Sequence, residues 1–256
     1  MSAADLATTA RRALVCLDLT NLQDDCDERA VADLCRRAQT PAGSAAAVCV
    51  WPRFVAQAKR ALANTGIRVA TVVNFPRGDA DLDAVKTETR VALADGADEI
   101  DLVTPWRALA AGDGAAVAAM VREIRDVCAE ATLKAILETG ELKDPALIGL
   151  AAEAALDGGA DFLKTSTGKV AVNATPEAAG ILLAAIARRG GGAGLKVAGG
   201  VRTTEEAGVY LALCDQRMGA GWAGPRRFRF GASGLLDALL ATLGLERAAD
   251  GDDEDY

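Results

Sequence analysis

The segments Asp161-Phe-Leu-Lys-Thr-Ser-Thr-Gly-Lys169 and Leu195-Lys-Val-Ala-Gly-Gly200 each place one lysine, Lys164 or Lys196, in a short apolar run followed by glycine. Burying an ammonium group costs desolvation free energy, so lysine is uncommon inside a hydrophobic strand. Here this happens in two consecutive strand candidates. The pattern indicates two strands whose charged side chains meet in a partly dry site.

Eight apolar runs of this kind alternate with helical patterns along the chain. The runs are Ala13–Leu19, Ala45–Trp51, Arg68–Asn74, Glu99–Thr104, Leu133–Glu138, Phe162–Ser166, Leu195–Ala198 and Phe228–Ala232. The helical patterns are Glu28–Ala38, Arg53–Thr65, Asp81–Asp95, Ala115–Glu130, Pro145–Asp157, Pro176–Arg189, Thr204–Cys214 and Leu235–Leu243. This rhythm predicts a closed (β/α)8 TIM barrel of the α/β class. An open doubly wound sheet is the alternative, but its strands rarely carry inward-pointing charges.

The length and composition favour one domain. The 256 residues are 51% hydrophobic, and no segment resembles a linker that would divide them. We therefore expect a single barrel domain over residues 1–256, with a mobile acidic tail at residues 246–256. The net charge of −8 argues against nucleic-acid binding, and the short basic run Pro225–Arg229 is interpreted as a surface or loop anchor.

The cysteine pattern and the N-terminus bear on the compartment. None of the six cysteines forms a C-x-x-C pair, and a chain without histidine cannot build a mixed Cys/His zinc site. We expect buried thiols in a reducing compartment, with no metal and no cofactor. The N-terminus lacks signal-peptide features, and no apolar run approaches the ~18 residues of a membrane-spanning helix. The sequence therefore predicts a cytoplasmic protein without a membrane partner.

Strand alternation sorts the charged residues by face. Lys164 and Lys196 can meet near the barrel mouth, because adjacent strands lie about 4.8 Å apart. Each ammonium group, together with desolvation, is expected to lower the pKa of the other, and a neutral lysine is a nucleophile for carbonyl groups. Proton transfer must fall to groups other than histidine, and Asp101 at the end of the fourth strand is a candidate.

Several of these residues also have a plain structural interpretation. Any single lysine could be an ion-paired barrel residue, and Asp18 or Asp101 could be a structural hydrogen-bond acceptor. Lys169, after Gly168 in a loop, could be solvated or could contact substrate. Only seven lysines occur in the chain, and four fall in or just after the strands, so we favour a functional cluster.

Glycines after the last two predicted strands provide a second signal. Gly199-Gly200 follows the seventh strand, and Gly231-Ala-Ser-Gly234 follows the eighth. Loops at these positions of a barrel often bind phosphate through backbone N–H groups, and Ser233 can add a hydroxyl donor. The sequence therefore predicts a phosphate site at this side of the mouth.

Taken together, these segments resemble the deoxyribose-phosphate aldolases. The resemblance covers nearly the whole chain and rests on Leu17-Asp-Leu-Thr20, Thr40-Pro-Ala-Gly43, Cys49-Val-Trp-Pro-Arg53, Val73-Asn-Phe-Pro-Arg-Gly78, Gly96-Ala-Asp-Glu-Ile-Asp101, Glu138-Thr-Gly-Glu-Leu-Lys143, Gly159-Ala-Asp-Phe-Leu-Lys-Thr-Ser-Thr-Gly-Lys169, Lys196-Val-Ala-Gly-Gly-Val-Arg202 and Arg229-Phe-Gly-Ala-Ser233. It implies a metal-independent class I aldolase that reversibly cleaves 2-deoxy-D-ribose 5-phosphate into acetaldehyde and D-glyceraldehyde 3-phosphate. The implied partners are small phosphorylated sugars and aldehydes, together with a second copy of the chain, a homodimer being favoured.

The resemblance also implies roles for individual residues. Lys164 would form the Schiff base, Lys196 would lower its pKa, and Asp101 would donate and accept protons. Around the substrate or the proton path it implies Asp18, Lys169 and Tyr256. The phosphate site would comprise Gly168, Gly199, Gly200, Gly231, Ser233 and Gly234.

Two positions depart from the family pattern. Val197 stands where the family often has proline, and its side chain is expected to face the helices. Gly234 stands where the family often has a second serine, so one hydroxyl donor is missing. The alternatives are another Schiff-base aldolase or transaldolase-like enzyme, and a barrel that binds a phosphorylated metabolite without catalysis. For the tail, the alternative is a solvated acidic segment that takes no part in catalysis.

Overall fold

The structure, a computed structural model, describes residues 2–245, in which eight parallel strands close into one barrel. The strands are β1 (Leu17–Asn21), β2 (Ala47–Val50), β3 (Arg68–Val73), β4 (Glu99–Val103), β5 (Thr132–Ile136), β6 (Phe162–Lys164), β7 (Gly194–Ala198) and β8 (Phe228–Ala232). Each pairs with the next, and β8 pairs with β1, which confirms the predicted (β/α)8 TIM barrel. The predicted acidic tail at residues 246–256 lies outside the described residues.

Helices connect the strands and cover the barrel. They are α1 (Ala3–Val15), α2 (Glu28–Arg37), α3 (Val55–Ala61), α4 (Leu82–Ala94), α5 (Trp106–Ala110), α6 (Ala116–Cys128), α7 (Thr139–Leu142), α8 (Pro145–Asp157), α9 (Pro176–Arg188), α10 (Thr204–Met218) and α11 (Leu235–Thr242). A 3-10 turn precedes α3 at Pro52–Phe54. Two short antiparallel strands, Gln39–Thr40 and Gly43–Ser44, form a small hairpin outside the barrel. Among the described residues, no helix is long and apolar enough to cross a membrane.

Capping explains why the helices after the site strands begin where they do. The Thr175 side chain accepts a hydrogen bond from the backbone of Ala178, and Pro176 occupies the first turn of α9. Thr203 and Glu206 form a reciprocal capping box at the start of α10. These starts agree with the sequence prediction, and they fix where the loops after β6 and β7 end.

The prediction was wrong at the N-terminus. The predicted strand Ala13–Leu19 begins with residues that finish helix α1, and the strand itself starts at Leu17. Ala13 and Leu14 are buried in the outer core as helix residues, so a continuous apolar run conceals the change from helix to strand. The short helices α5 and α7 were also not predicted, and β6 ends at Lys164 instead of Ser166.

Alternation gives the barrel two different cores. The outward faces of the strands pack against the helices in one large apolar cluster, to which Leu163, Leu195 and Val197 belong. Inside the barrel the apolar cluster is small, made of Leu22, Ala47, Cys49, Ala70 and Val72. The remaining interior is charged, and the register aligns it, because Lys164 lies opposite Lys196 and Asp101 opposite Lys134. All six cysteines are buried with free thiols, as predicted.

Candidate active site

Asp101 lies at the centre of the charged interior and binds three lysines. Its Oδ2 accepts hydrogen bonds from the Nζ atoms of Lys164 and Lys196, each at 2.7 Å. Its Oδ1 accepts from Lys134 Nζ, also at 2.7 Å. Asp101, Lys134 and Lys196 are fully buried, and Lys164 is only 3% exposed. The one carboxylate therefore holds the two predicted catalytic lysines and a third beside them.

A second layer of ion pairs lies deeper in the barrel. Arg229 donates two hydrogen bonds to Glu99, from Nη2 to Oε1 at 2.9 Å and from Nη1 to Oε2 at 3.1 Å. Its Nη1 also donates to Asp18 Oδ1 at 2.6 Å, and Asp18 Oδ2 accepts from Lys196 Nζ at 2.5 Å. Lys134 Nζ binds Glu99 Oε2 at 2.5 Å. One continuous network therefore runs from Lys164 down to Arg229.

The three buried lysines of this network differ in protonation. Burial lowers the pKa of Lys164 below its ordinary value, the charge of Lys196 lowers it further, and the nearby Asp101 only partly offsets both. Burial alone would also lower the pKa of Lys196, but Asp101 and Asp18 outweigh burial and raise it. The pKa of Lys134 is raised as well, by Asp101 and Glu99 against burial. The expectation that Lys164 and Lys196 lower each other is therefore wrong for Lys196, because two carboxylates hold its proton.

The three buried carboxylates of the network remain ionised. Burial would raise the pKa of Asp101, but Lys134, Lys164 and Lys196 together bring it well below its usual range. Lysine and arginine neighbours likewise outweigh burial and lower the pKa of Asp18 and that of Glu99. At neutral pH Asp101 is a carboxylate that can accept a proton, with ammonium donors in direct contact.

Lys164 opens onto a pocket of about 750 Å³ at the mouth of the barrel. Residues from the ends of β1 and β8 and from the loops after β1, β6, β7 and β8 line the pocket, namely Thr20, Leu22, Gln23, Thr167, Gly168, Lys169, Val170, Asn173, Gly199, Gly200, Val201, Arg202, Gly231, Ala232, Ser233 and Gly234. Lys169 and Arg202 bring positive charge to this mouth. An aldehyde with an anionic tail would therefore find both an amine and cations in one pocket.

Three of the mouth glycines have backbones that favour glycine. Gly168, Gly199 and Gly200 have φ angles of 86°, 80° and 89°. Gly199 also has no room for a side chain, since an added Cβ would lie 2.7 Å from the side chain of Asn173. Gly231 has a different purpose, because a Cβ there would approach Lys196 Cε to 2.9 Å. It makes room for the lysine as well as lining the pocket.

A larger cavity, of about 930 Å³, lies at the opposite end of the barrel interior. Arg68, Arg229 and Glu99 contribute to its lining, and Lys164 does not. The guanidinium groups of Arg68 and Arg229 already bind carboxylates, since Arg68 Nε lies 2.9 Å from Glu99 and Arg229 holds both Glu99 and Asp18. We place the candidate active site in the smaller pocket, where the buried amine with a lowered pKa is accessible.

The structure brings most of the predicted site residues together. Lys164 and Lys196 both contact Asp101, and Ser233 with the predicted glycines lines the mouth. Asp18 lies beneath Lys196 and does not line the mouth pocket. Lys169 lines it, is 30% exposed, and has Asp24 3.8 Å from its Nζ. Tyr256 lies outside the described residues.

The prediction that Arg229 belongs to a surface or loop anchor is wrong. The residue is 4% exposed and belongs to the centre of the buried network. Its neighbours Phe228 and Phe230 face the outer core, so alternation directs Arg229 into the barrel, and this was the available signal. Arg202, two residues after Gly200, was also missed as a cation at the mouth.

Comparisons with known proteins agree with this geometry. Residues 12–239 match the model of the DeoC/LacD family aldolases. The deoxyribose-phosphate aldolase of Agrobacterium fabrum is 57% identical over 229 residues, which cover 89% of this chain and 88% of that protein.

Solved structures show the same relationship. The apo form of a deoxyribose-phosphate aldolase candidate from Toxoplasma gondii has a TM-score of 0.87 at 30% identity, over 96% of this chain and all of its own. The tetrameric deoxyribose phosphate aldolase of Aeropyrum pernix has a TM-score of 0.76 at 26% identity, over 96% of this chain and 100% of that one. By the family match and by these relatives, the chain belongs to the DeoC/LacD family of aldolases.

Proposed function

We propose that this chain is a class I aldolase, a carbon–carbon lyase that reversibly cleaves 2-deoxy-D-ribose 5-phosphate into acetaldehyde and D-glyceraldehyde 3-phosphate. The family and the name of the Agrobacterium relative support the reaction. The observation that carries the proposal is the state of Lys164. Of the three buried lysines around Asp101, it alone has a lowered pKa, and it alone lines the mouth pocket.

In the proposed mechanism, the neutral amine of Lys164 attacks the aldehyde carbon of the open-chain sugar and forms a carbinolamine. The carbinolamine hydroxyl leaves as water once it gains a proton, which produces a protonated imine on Lys164. Asp101 is placed to accept the proton released from nitrogen, because its Oδ2 lies 2.7 Å from Lys164 Nζ. Lys196, whose Nζ donates to the same Oδ2 at 2.7 Å, is placed to supply the proton to the hydroxyl. Asp18 acts from below by keeping Lys196 charged.

Cleavage follows from the protonated imine, which withdraws electrons. Removal of the proton from the C3 hydroxyl breaks the C2–C3 bond, and the electron pair moves toward the imine nitrogen. D-glyceraldehyde 3-phosphate leaves, and the enamine of acetaldehyde stays on Lys164. Protonation of the enamine carbon regenerates an imine, which water hydrolyses to acetaldehyde and the free amine. We assign Tyr256 to the transfer of a proton at that carbon.

The phosphate group is proposed to bind at the side of the mouth formed by the last three loops. Gly168, Gly199, Gly200 and Gly231 allow a close approach of backbone N–H groups to an anion. Helix α11 begins there at Leu235, after Gly234 as the N-cap, where no side chain caps the free N–H groups, and the exposed Ser233 adds a hydroxyl. Lys169 supplies positive charge, with Arg202 as a further cation at the mouth.

The setting of the enzyme is also proposed. Phosphorylated sugars and aldehydes are its partners, and it acts in the cytoplasm without metal or cofactor, as a homodimer. Light scattering with size-exclusion chromatography measures the last point: a mass of two chains supports the dimer, and a mass of one or four chains contradicts it.

Cleavage of 2-deoxy-D-ribose 5-phosphate with and without EDTA tests the function. The proposal predicts release of D-glyceraldehyde 3-phosphate, unchanged by EDTA, with a much higher KM for deoxyribose, which lacks the anion. Cleavage of a different phosphorylated aldol only would indicate another Schiff-base aldolase. Phosphate binding without any cleavage would indicate a silent binding barrel.

A further inference from the structure

The segment that follows β5 supports the loop that follows β6, here called the β6 loop (residues 165–175). Thr139 N donates to Thr165 O at 2.9 Å. Gly140 packs so closely on the loop that an added Cβ would lie 1.8 Å from Val172 O. Between these backbone contacts, the side chain of Glu138 reaches the loop, and Thr167 N donates to its Oε1 at 3.1 Å.

Glu138 is unusual in both backbone and surroundings. Its φ of 52° is left-handed, which is uncommon for a residue other than glycine, and its side chain is 1% exposed. Unlike the carboxylates of the charged network, Glu138 has no lysine or arginine within ion-pair distance in the part of the chain that the structure describes. Burial raises its pKa, against the hydrogen bonds from Thr167 and the charge of Lys164. The hydrogen-bond partner of its carboxylate is the backbone N–H of Thr167 in the β6 loop.

The contact continues into the residues that line the mouth. Thr167 Oγ1 accepts a hydrogen bond from Lys169 N at 3.1 Å, and Gly168 between them has its left-handed backbone. Glu138 therefore orders Thr167, and Thr167 orders the turn that presents Gly168 and Lys169 to the pocket. None of these contacts involves the Lys164 amine.

We propose that Glu138 is a positioning residue for substrate binding, whose carboxylate oxygen holds the turn Thr167–Lys169 in the conformation that receives the substrate's phosphate. This inference rests on the proposed function, in which that turn belongs to the phosphate site. The reach of the side chain matters more than its charge, because the observed contact is a backbone N–H donated to one oxygen.

Two substitutions separate reach from charge. Glu138→Gln keeps an oxygen at the same distance and removes the ionisable group. Glu138→Asp keeps the charge and tolerates a left-handed backbone, but it is one methylene too short. Glu141→Ala is the matched control, because Glu141 is exposed in α7, the short helix that Glu138 precedes. Circular dichroism and thermal melting establish that each variant is folded.

The first readout is the Kd for inorganic phosphate by calorimetry, which does not depend on the reaction. We expect Glu138→Asp to weaken phosphate binding about tenfold, the loss of about one hydrogen bond. Glu138→Gln should stay within about threefold of wild type, and Glu141→Ala should be unchanged. The second readout is kinetic, and Glu138→Asp should raise KM for 2-deoxy-D-ribose 5-phosphate by a similar factor, with kcat nearly kept.

Several outcomes would overturn the inference. The inference is wrong if the Glu138→Asp variant binds phosphate as tightly as wild type. It is also wrong if the Glu138→Gln variant loses phosphate binding while the Glu138→Asp variant retains it. Equal loss in both, with a fall in melting temperature, would leave Glu138 a purely structural residue. Wild-type protein that binds phosphate but does not cleave the sugar phosphate would contradict the proposed function alone, because the binding comparison still tests Glu138.

Discussion

The two ends of the barrel interior are built from the same kinds of charged side chain, and they differ in how many partners each cation has. At the far end, Lys134 has Glu99 at 2.5 Å and Asp101 at 2.7 Å, and Arg229 holds both Glu99 and Asp18. At the mouth, Lys164 has Asp101 as its one ion-pair partner among the described residues. The cations at the far end keep their protons, whereas the amine at the mouth is poised to lose one.

This difference is the reason why we propose the mouth pocket, and not the larger cavity, as the active site. A cation that already pairs with two or more buried carboxylates gains little binding free energy from an anionic ligand. A buried lysine with one shared carboxylate and a charged neighbour has little to stabilise its ammonium form. We infer that the far end stabilises the barrel and that the mouth carries the chemistry.

The largest expected effect follows from removing the amine at the mouth. Lys164→Ala should lose cleavage activity by several orders of magnitude and remain folded, because the other two lysines around Asp101 have raised pKa values and do not line the mouth pocket. Steady-state cleavage kinetics measure this loss. Lys59→Ala is the control, since that lysine forms a surface pair with Asp98 outside the barrel. Activity above about a tenth of wild type in Lys164→Ala would remove the nucleophile assignment.

At the far end, a substitution should cost stability instead of chemistry. Arg229→Met leaves Glu99 and Asp18 short of a partner, and breaking a buried ion pair in this way costs about 3–5 kcal/mol of unfolding free energy. Arg68→Ala should cost about 1 kcal/mol or less, because Arg68 is half-exposed and Glu99 keeps its other partners.

Urea unfolding measures both changes, and kcat of the folded fraction measures the chemistry. A fall of kcat in Arg229→Met as large as that of Lys164→Ala would contradict the division between the two ends.

Replacing the shared carboxylate should separate proton transfer from nucleophile activation. Asp101→Asn keeps the shape but loses the group that accepts a proton, so cleavage should slow by about 100-fold or more. Asp101 raises the pKa of Lys164, so its loss should move the acid-side limb of the pH–rate profile to lower pH. Stopped assays across pH test both effects, and a near-normal rate would assign the proton transfer to another group.

Lys196→Leu should shift the same limb in the opposite direction. Lys196 is charged and lowers the pKa of Lys164, so removing it raises that pKa, and the neutral amine then appears only at higher pH. Part of the lost activity should return as the pH rises. A profile of unchanged shape would mean that Lys196 acts only through contact with the substrate.

The sequence predicted the fold and the central contact because both follow local patterns. Apolar runs and capped helices recur along the chain, and alternation alone directs Lys164, Lys196 and Asp101 into the barrel. The start of β1 was not predictable in this way, because residues 13–17 stay apolar from the end of helix α1 into the strand.

Contacts between distant strands escaped sequence reasoning. Asp18 in β1 reaches past β8 to Lys196 in β7 and, together with Asp101, reverses the direction in which the pKa of Lys196 shifts. Arg229 follows Arg226 and Arg227 closely in the sequence, and such a cluster of basic residues predicts an exposed segment. The Arg229 side chain is nevertheless buried, where it binds Glu99 and Asp18. Such partners are fixed by closure of the barrel, which no local pattern contains.

The central claim is that Lys164 alone, among the buried lysines, is neutral enough to form an imine. Borohydride reduction in the presence of acetaldehyde, followed by peptide mass spectrometry, tests it directly, because reduction makes an imine permanent as an N-ethyl group. We predict the added mass on Lys164, with Lys134 and Lys196 unmodified, and no trapping in Lys164→Ala. Modification of Lys196 or Lys134 in its place, or no adduct on wild-type protein, would contradict the claim.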